Sequence, residues 1–191
     1  VVIKTQEWFK ENLRTTKYRD GTPIQAGADS VTWVNDTIGA YVWYDNDSSN
    51  IAIYGNLYNW YAVDDHRGIC PEDWHVPTDA DWTVLTDYLG GADVVGGMMK
   101  STGTIEEGDG LWYSPNIAAT NESGFTAYPG GYRHISDGLY YHLGNTGNYW
   151  SSTKEPNTDF VFYRVLFWDY SYVHNIAHTK NYGFSVRCIS N

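Results

Sequence analysis

Helical periodicity stands out at one place in this sequence and disappears after residue 100. Apolar residues recur there at positions i, i+3 and i+7: Trp82, Leu85 and Leu89. Thr78 precedes this stripe as a candidate N-cap, and Asp81 follows three residues later in a capping-box pattern. Gly90-Gly91 come directly after the stripe and are typical of a helix end. The sequence therefore predicts one well-defined helix over residues 79–89.

Short strands joined by turns account for most of the remaining sequence. The 19 glycines fall largely in turn-like clusters, which implies many short elements. An earlier helix is expected from an Asn56 N-cap to near Gly68, with Leu57, Trp60 and Tyr61 on one face. Strands are expected at residues 40–44, 124–128, 149–152, 159–167, 170–174 and 184–189. Two helices followed by a strand-rich half predict an α+β fold, with residues 1–191 in one domain that includes a strand-and-turn region at residues 1–55.

The composition favours a folded, acidic recognition domain. Hydrophobic residues make up 42% and charged residues 18% of the chain, which excludes a disordered tail. The net charge of −11 and the lack of a basic stripe argue against nucleic-acid binding. With nine Trp and 17 Tyr, some rings should be partly exposed, because their polar ends need water or a partner. Exposed rings suit a recognition surface better than a metabolic enzyme.

Cys70 and Cys188 are the two cysteines of the chain. Two cysteines cannot build a zinc site unaided, and no histidine pair at ligand spacing lies beside either one. They form either a single disulfide or two buried thiols. No apolar run reaches the length of a membrane span, so we expect membrane attachment only through a lipid-anchor cysteine upstream of Val1, where a secretion signal would also lie.

Seven sequence landmarks occur in a recognisable order along nearly the whole chain. They lie at residues 11–16, 55–63, 70–82, 123–125, 129–133, 149–153 and 183–188. On these landmarks the chain resembles the Fibrobacter succinogenes major paralogous domain family, a group of exported and often lipid-anchored bacterial proteins. Residues 76–82, together with the terminal Phe-Ser-Val-Arg-Cys stretch, also resemble formylglycine-generating enzymes and their non-catalytic relatives, which share the C-type lectin fold.

The resemblance implies a C-type-lectin-like fold with two helices, long loops and a mixed, twisted, antiparallel-rich sheet. In that fold a cysteine just after the first helix pairs with one in the last strand, so the resemblance implies a Cys70–Cys188 disulfide. Such a bridge closes a long loop, which is worth about 4–5 kcal/mol by the loop-entropy estimate. It also implies an oxidising, extracellular or cell-surface location. The residues expected in the core are Trp60, Trp74, Trp82, Phe125, Trp150 and Phe184.

The C-terminal segment from residue 159 to residue 182 is the candidate ligand-binding region. Aromatic rings are interleaved there with small polar groups, and such platforms give contact area at low entropic cost. The candidate binding residues are Phe160, Phe162, Tyr163, Trp168, Asp169, Tyr170, Tyr172, His174, Asn175, His178, Asn181 and Tyr182. In retroelement-diversified proteins of the same fold, the variable binding residues lie directly before the terminal Gly-Phe-Ser-Val-Arg landmark, so diversification is one hypothesis. An ordinary solvated strand-loop-strand is the alternative.

Calcium is the one cofactor that the sequence brings into consideration. Glu155-Pro156-Asn157 matches the triplet with which sugar-binding C-type lectins hold Ca²⁺, and Asp169 approximates part of their second ligand pair. The candidate ligands are therefore Glu155, Asn157 and Asp169, although the same triplet is also a good turn sequence. The acidic runs at residues 45–47 and 106–109 lack the EF-hand pattern and are expected to be solvated loops.

No recognised catalytic motif is present in the sequence. Ser136-Asp137 lies near His134, and Asp64-Asp65-His66 precedes Cys70, but adjacency in sequence does not make a catalytic triad. Formylglycine-generating enzymes act through a cysteine pair whose positions neither cysteine here matches. We therefore expect a non-catalytic extracellular domain that binds a protein or glycan. A calcium-dependent lectin and a structural cell-surface lipoprotein module are the alternatives.

Overall fold

The computed structural model describes residues 1–27 and 29–191, which form an α+β fold of many short elements. Its helical segments are Ser30–Asn35 (α1), Ser49–Tyr54 (α2), Trp60–Val63 (α3), Asp79–Tyr88 (α4), Gly96–Met99 (α5) and a 3-10 turn at Tyr44–Asn46. Its strands are Val2–Ile3 (β1), Gln6–Glu7 (β2), Gln25–Ala26 (β3), Ala40–Val42 (β4), Leu57–Tyr58 (β5), Trp74–His75 (β6), Gly130–Arg133 (β7), Tyr140–Leu143 (β8), Thr146–Lys154 (β9), Val161–Phe167 (β10), Val173–His178 (β11) and Ile189–Ser190 (β12). The α+β class is confirmed. The expected number of two helices is wrong, because short α-helical turns also form at α1, α2 and α5.

The predicted capping-box helix is confirmed as α4. The Thr78 hydroxyl accepts a hydrogen bond from the Asp81 amide at 3.2 Å, and the Asp81 carboxylate accepts one from the Thr78 amide at 2.8 Å. Trp82 and Leu85 are buried and Leu89 is half-buried, so the predicted stripe faces the core. In the described part of the chain, no helix combines the length and apolar character that crossing a membrane requires. α4 serves instead as the rigid element against which the main sheet packs.

The earlier helix is shorter than expected and begins three residues later. Asn59, not Asn56, is the N-cap, and its side chain accepts a hydrogen bond from the Ala62 amide at 3.1 Å. Asn56 instead donates its side-chain amide to the Arg14 carbonyl at 3.1 Å, which ties down the N-terminal segment. The helix ends at Val63 rather than near residue 68. The two residues before its cap form the buried strand β5, because they pair with β4.

A five-stranded sheet forms the C-terminal half of the fold, in the order β11-β10-β9-β7-β8. β10 is antiparallel to both β9 and β11, whereas β7 and β9 pair in parallel at Gly131 and Gly147. Smaller sheets join β1 with β2, β6 with β12, and β3 with β4 and β5. The large sheet is therefore mixed, with antiparallel pairs in the majority.

The strand expected at residues 124–128 is a loop. Gly124 has a φ of 70° and Thr126 a φ of 56°, both in the left-handed region, and an extended strand contains neither conformation. The carbonyls of Phe125 and Thr126 accept hydrogen bonds from the Arg187 guanidinium at 2.6 and 3.2 Å. Phe125 and Thr126 thus satisfy their carbonyls with a buried arginine, and Ala127 alone forms a single bridge, to Lys100.

The other strand predictions are confirmed to differing extents. Residues 149–152 lie inside β9, while β10 and β4 occupy most of the ranges expected for them. The strand expected at 170–174 is β11, which begins only at Val173 because a bend precedes it. Residues 184–189 do not form one strand, since Phe184 bridges to Tyr58 and Ser185 to Tyr149 before β12 begins.

Cys70 and Cys188 form the implied disulfide, with their Cα atoms 6.0 Å apart and both residues buried. The alternative of two buried thiols is wrong. The Phe9 amide donates to the Cys188 carbonyl at 2.8 Å, so the N-terminal segment is attached to the same place. The bridge therefore joins the first and last parts of the chain to the segment that follows α3.

Five of the six residues expected in the core are buried: Trp60, Trp82, Phe125, Trp150 and Phe184. Trp74 is only half-buried, so it lies at the edge of the core and not inside it as predicted. It lies in the small β6–β12 sheet and packs against the Phe9 ring, with centroids 4.6 Å apart. A sheet of two strands covers less of an indole ring than the interior of the large sheet does.

The two faces of the large sheet have different surroundings. On one face Leu166 of β10 and Val173 of β11 belong to the same core cluster as Trp82 and Leu85 of α4. We call this side, covered by α4, the closed face. The alternate residues of β10 point away from α4, because successive side chains of a strand point to opposite faces.

We call the side of the sheet that carries Tyr163, Val165 and Phe167 the outer face. Tyr163 packs there beside Phe184, with ring centroids 4.5 Å apart. The segment ending in Phe184 covers only part of this side. A pocket remains next to it.

Candidate ligand-binding site

A pocket of about 200 Å³ lies on the outer face. Its floor comes from the alternation of two neighbouring strands, which sets Val165 opposite Asn148 and Phe167 opposite Thr146. The residues that line it are Tyr132, His142, Thr146, Asn148, Tyr163, Val165, Phe167, Trp168, Ile176, Tyr182 and Phe184. Among these lining residues there is no acid, lysine or arginine. The pocket therefore offers rings, aliphatic groups and neutral polar groups.

Asn148 is a buried polar residue of the pocket floor, with only 3% of its surface exposed. Its Nδ2 donates to the Gly131 carbonyl at 3.2 Å and to the Thr146 hydroxyl at 2.8 Å. These two bonds fix the orientation of the amide. Among the described residues no donor bonds to its Oδ1 atom, so this acceptor is available to a ligand.

Three phenols, those of Tyr132, Tyr163 and Tyr182, surround the pocket. None of their hydroxyls has a hydrogen-bond partner within residues 1–27 and 29–191. Burial, followed by the neighbouring phenols of Tyr182 and Tyr132, raises the pKa of Tyr163 to about 12. Burial also raises the pKa of Tyr182. At neutral pH these groups are uncharged hydroxyls that can donate and accept.

Ring-on-ring contacts hold the pocket wall in place. Tyr182 stacks on Phe184 with centroids 5.0 Å apart, and Tyr132 meets Tyr182 edge-on at 5.7 Å. Tyr132 also stacks on His142 at 5.6 Å. Because each ring is supported by a neighbour, the wall can bind a ligand without first becoming ordered.

A second group of rings continues from the pocket along the outer face. Tyr170 and Tyr172 are stacked with centroids 4.7 Å apart, and His174 meets Tyr172 edge-on at 4.2 Å. Phe167, which also lines the pocket, contacts His174 at 5.5 Å and Tyr170 at 5.9 Å. We call Phe167, Tyr170, Tyr172 and His174 the ring ladder. Burial lowers the pKa of His174, so the ladder is uncharged at neutral pH.

A buried lysine holds the turn on which the ring ladder sits. Lys100 has no exposed surface, and its Nζ donates to the carbonyls of Phe167 and Tyr170, both at 3.0 Å. Burial lowers the pKa of Lys100 to about 8, and the charge of Asp169 opposes this shift. Asp169 is thus part of the turn rather than of the pocket. Its Oδ1 is buried and has no hydrogen-bond partner among the described residues.

Phe160 and His178 lie together at the other end of the β10–β11 pair, with stacked rings 5.9 Å apart. His178 also meets Tyr182 edge-on at 4.7 Å, which places it at the rim of the pocket. Burial lowers the pKa of His178, and His134 lowers it further. Phe162 pairs with Ala177 and alternates with the outer-face residues, so it lies on the opposite side of β10.

Two of the expected binding residues stabilise the framework. Asn175 accepts a hydrogen bond from Arg164, and its Nδ2 donates to the Asp79 carboxylate at 3.0 Å. Asn181 donates its side-chain amide to the Asp36 carbonyl at 2.6 Å, and its own carbonyl accepts the indole N–H of Trp33. Their polar groups are therefore already used within the protein.

The structure does not bring the three candidate calcium ligands together. Glu155 and Asn157 precede β10, whereas Asp169 follows it. A strand of 7 residues spans about 20 Å, so these side chains lie at opposite ends of β10. The Glu155 carboxylate accepts the Thr158 hydroxyl at 2.9 Å within its own turn. Among the residues that the structure describes, no group of three or more His, Cys, Asp or Glu could hold a metal ion.

The two acidic runs bind nearby backbone amides. The Asp47 carboxylate accepts the Ser49 amide at 3.0 Å. In the second run the Glu106 carboxylate accepts the Ser114 amide at 2.9 Å. Such bonds are typical of carboxylates that stabilise turns.

Neither candidate catalytic group has the geometry of a triad. The Nδ1 atom of His134 lies 2.9 Å from the Ser136 hydroxyl and 3.4 Å from the Asp137 carboxylate. In a triad the nucleophile and the acid contact different ring nitrogens, whereas here they share one. In the other group Asp65 pairs with Arg67 at 2.7 Å, and the His66 side chain is 93% exposed.

Of the twelve expected binding residues, Tyr163, Trp168 and Tyr182 line the pocket. Four of the other lining residues were missed because they come from β7, β8 and β9, outside the segment from 159 to 182: Tyr132, His142, Thr146 and Asn148. Val165, Phe167 and Ile176 lie inside that segment but were not among the expected residues. The alternation of Tyr163, Val165 and Phe167 could have indicated an outer face. The parallel pairing of β7 with β9 has no comparable signal in the sequence, because it joins residues through the topology of the whole sheet.

Comparison with known proteins gives the family. The family model described as the Fibrobacter succinogenes major domain matches residues 1–190. No curated protein and no solved structure matches the chain. The matched range includes both cysteines and every strand that forms the pocket. The chain therefore belongs to the Fibrobacter succinogenes major domain family.

Proposed function

We propose that this protein is a non-catalytic extracellular binding domain that recognises a protein or glycan ligand through its outer face. The observation that carries the proposal is the aromatic pocket and its continuation into the ring ladder. Supported rings, together with hydroxyl and amide groups that have no partner within the described residues, are what a recognition site requires.

The lining chemistry favours reversible binding over catalysis. The pocket lacks a carboxylate, an amine and a thiol, so it offers no paired acid and base among its lining residues. Both cysteines are joined in the buried disulfide, which removes them as nucleophiles. His142 is the lining residue best suited to proton transfer, and it stacks on Tyr132.

The Cys70–Cys188 disulfide supports the proposed location and the proposed fold. A buried disulfide indicates an oxidising compartment, which supports an extracellular or cell-surface position. The C-type-lectin-like arrangement that we propose is supported by the way this bridge joins the last residues to the segment after α3. It is also supported by the Trp8–Ile189 bridge, which brings the two ends of the chain together.

The contacts of the candidate residues limit the positions to which the hypothesis of retroelement diversification applies. Tyr170, Tyr172 and His174 contact mainly one another and Phe167, so substitutions there leave most of the framework intact. Asn175 and Asn181 hold neighbouring elements by hydrogen bonds. We therefore propose that any diversification is concentrated on the first three positions.

Binding to arrays of defined glycans and displayed peptides tests the proposed function. The wild-type domain should retain at least one ligand, and the triple variant Tyr170→Ala/Tyr172→Ala/His174→Ala should lose about tenfold or more in affinity, as for a cluster of aromatic contacts. Tyr88→Ala is the matched control, because Tyr88 is 54% exposed on α4, away from the outer face.

Equal binding by the wild type and a folded triple variant would contradict the assignment of the ladder. Retention of no glycan and no peptide by the wild type would contradict the proposed function as a whole.

A further inference from the structure

We infer that the outer-face pocket binds one uncharged pyranose ring and needs no metal ion to do so. This inference rests on the proposed function and names the class of ligand for the same site. It differs from the hypothesis of a calcium-dependent lectin, in which Glu155 and Asn157 hold the metal ion. Those two residues lie in the turn before β10 and do not line the pocket.

The lining contains no acid, lysine or arginine, which selects against ionic ligands. The chain carries a net charge of −11, yet the pocket is lined only by rings, aliphatic groups, hydroxyls and an amide. A bound carboxylate, phosphate or ammonium group would lose its hydration without finding an opposite charge, which is costly. The pocket therefore favours a ligand with no formal charge.

The arrangement of polar atoms fits a ligand with several hydroxyls. The Oδ1 atom of Asn148 sits at the floor as a fixed acceptor, because the amide nitrogen is already bound to Gly131 and Thr146. The phenols of Tyr132, Tyr163 and Tyr182 stand around it and lack partners among the described residues. A purely apolar ligand, such as an aliphatic side chain of a peptide, would leave these groups unpaired.

The rings provide the complementary surface for the other side of a sugar. A pyranose has an apolar face of C–H groups and an edge of hydroxyls, so it pairs with ring faces and polar atoms together. Phe167, Trp168 and Phe184 supply apolar ring surface around the same pocket. Aromatic residues of this kind give a large contact area at a low entropic cost.

The size of the pocket limits what enters it. At about 200 Å³ it is smaller than the ~300–1,000 Å³ typical of sites for drug-sized ligands. A ligand inside it is thus limited to about one ring, and attached sugars would continue over the ring ladder through Phe167, which belongs to both. The ligand that we infer is a terminal or branching sugar residue of a neutral glycan.

Titration by NMR with simple glycosides tests this inference. The probes are the methyl pyranosides of glucose, galactose, mannose and N-acetylglucosamine, with methyl glucuronide as the charged counterpart, all in excess EDTA. At least one neutral glycoside should cause saturable shifts of the Trp168 indole N–H and the Asn148 side-chain amide. The glucuronide should cause none.

Conservative variants identify the hydroxyl contacts. Tyr182→Phe and Tyr163→Phe keep the ring packing and remove one hydroxyl each. Each should therefore lower the affinity for the bound glycoside by about fivefold, as for the loss of one neutral hydrogen bond. Tyr88→Phe, on α4, should leave the affinity unchanged. Unchanged affinity in both pocket variants would overturn the placement of the ligand.

The outcomes separate this inference from the proposed function. If no neutral glycoside binds but the ring-ladder variant loses an array ligand, the sugar assignment is wrong and the binding function stands. A displayed peptide that shifts the same two resonances, with no glycoside doing so, would likewise overturn the sugar assignment. A repeat of the titrations with CaCl₂ in place of EDTA tests the metal-free part, and a neutral glycoside that binds only in that repeat would overturn it.

Discussion

The two faces of strand β10 differ in whether their polar groups have partners within the protein. On the closed face Arg164 pairs with Asp79 at 2.8 Å and bonds to Asn175, so its charge is compensated inside the protein. On the outer face the Tyr163 hydroxyl next to it has no partner among the described residues. A residue that has its bonds within the fold serves stability, and a supported residue with an unused polar group is available for a ligand.

The largest difference between the faces should be in stability. Leu166 is fully buried against α4, so Leu166→Ala should lower the free energy of unfolding by about 2–5 kcal/mol through the cavity it leaves. Ile176 is half-buried and lines the pocket, so Ile176→Ala should cost about 1 kcal/mol and weaken ligand binding. Urea unfolding of both variants measures this contrast, and equal losses would contradict the division into two faces.

A smaller loss of stability is expected from Lys100, which holds the turn of the ring ladder. Lys100→Met leaves the carbonyls of Phe167 and Tyr170 without their donor, which should cost about 1–3 kcal/mol and loosen the ring ladder. Lys17→Met is the matched control, because Lys17 is exposed. An unchanged free energy of unfolding in Lys100→Met would show that the turn does not depend on this amine.

The pH dependence of the free energy of unfolding, compared between the wild type and Lys100→Met, gives a second test of Lys100. Its pKa is about 8 in the folded protein and 10.5 in its ordinary state, so the unfolded chain binds more protons between these values. The free energy of unfolding of the wild type should therefore rise relative to Lys100→Met as pH increases from about 8 to 10.5.

The smallest effect is expected from the phenol of Tyr163. Its folded-state pKa of about 12 exceeds the ordinary value of 10.0, so the folded protein binds more protons in this window. This share of the stability is present below pH 10 and is lost as pH rises towards 12. Tyr163→Phe should therefore lose less stability than the wild type between pH 9 and pH 11, as measured by urea unfolding. Parallel losses would indicate that this hydroxyl is not held in a buried pocket.

The sequence contains a local signal for the elements that were predicted well. The α4 helix has its capping box between Thr78 and Asp81, three residues apart, and each bond of the box lies within that turn. The Cys70–Cys188 bridge is long-range, and it followed from the resemblance to a known family rather than from spacing. Asn56 was misjudged because a tertiary contact with Arg14, which no local pattern shows, uses its side chain.

Only part of the binding site was predicted, because several of its residues come from distant parts of the chain. The ring content of the C-terminal segment predicted a binding region, and Tyr163, Trp168 and Tyr182 do line the pocket. Asn148 and Tyr132 lie on other strands and reach the pocket through the order β10-β9-β7. Strand order depends on long-range pairing and leaves no periodic mark in the sequence.

Chemical-shift mapping of a bound ligand is the most direct measurement of whether the outer face is the binding surface. The ligand with the highest affinity from the glycan and peptide arrays would be titrated into isotopically labelled protein. We expect the shifts to concentrate on the Trp168 indole, the Asn148 amide and the ring ladder, with the exposed side of α4 unchanged. Shifts centred on α4 around Tyr88, with the Asn148 and Trp168 signals unmoved, would contradict it.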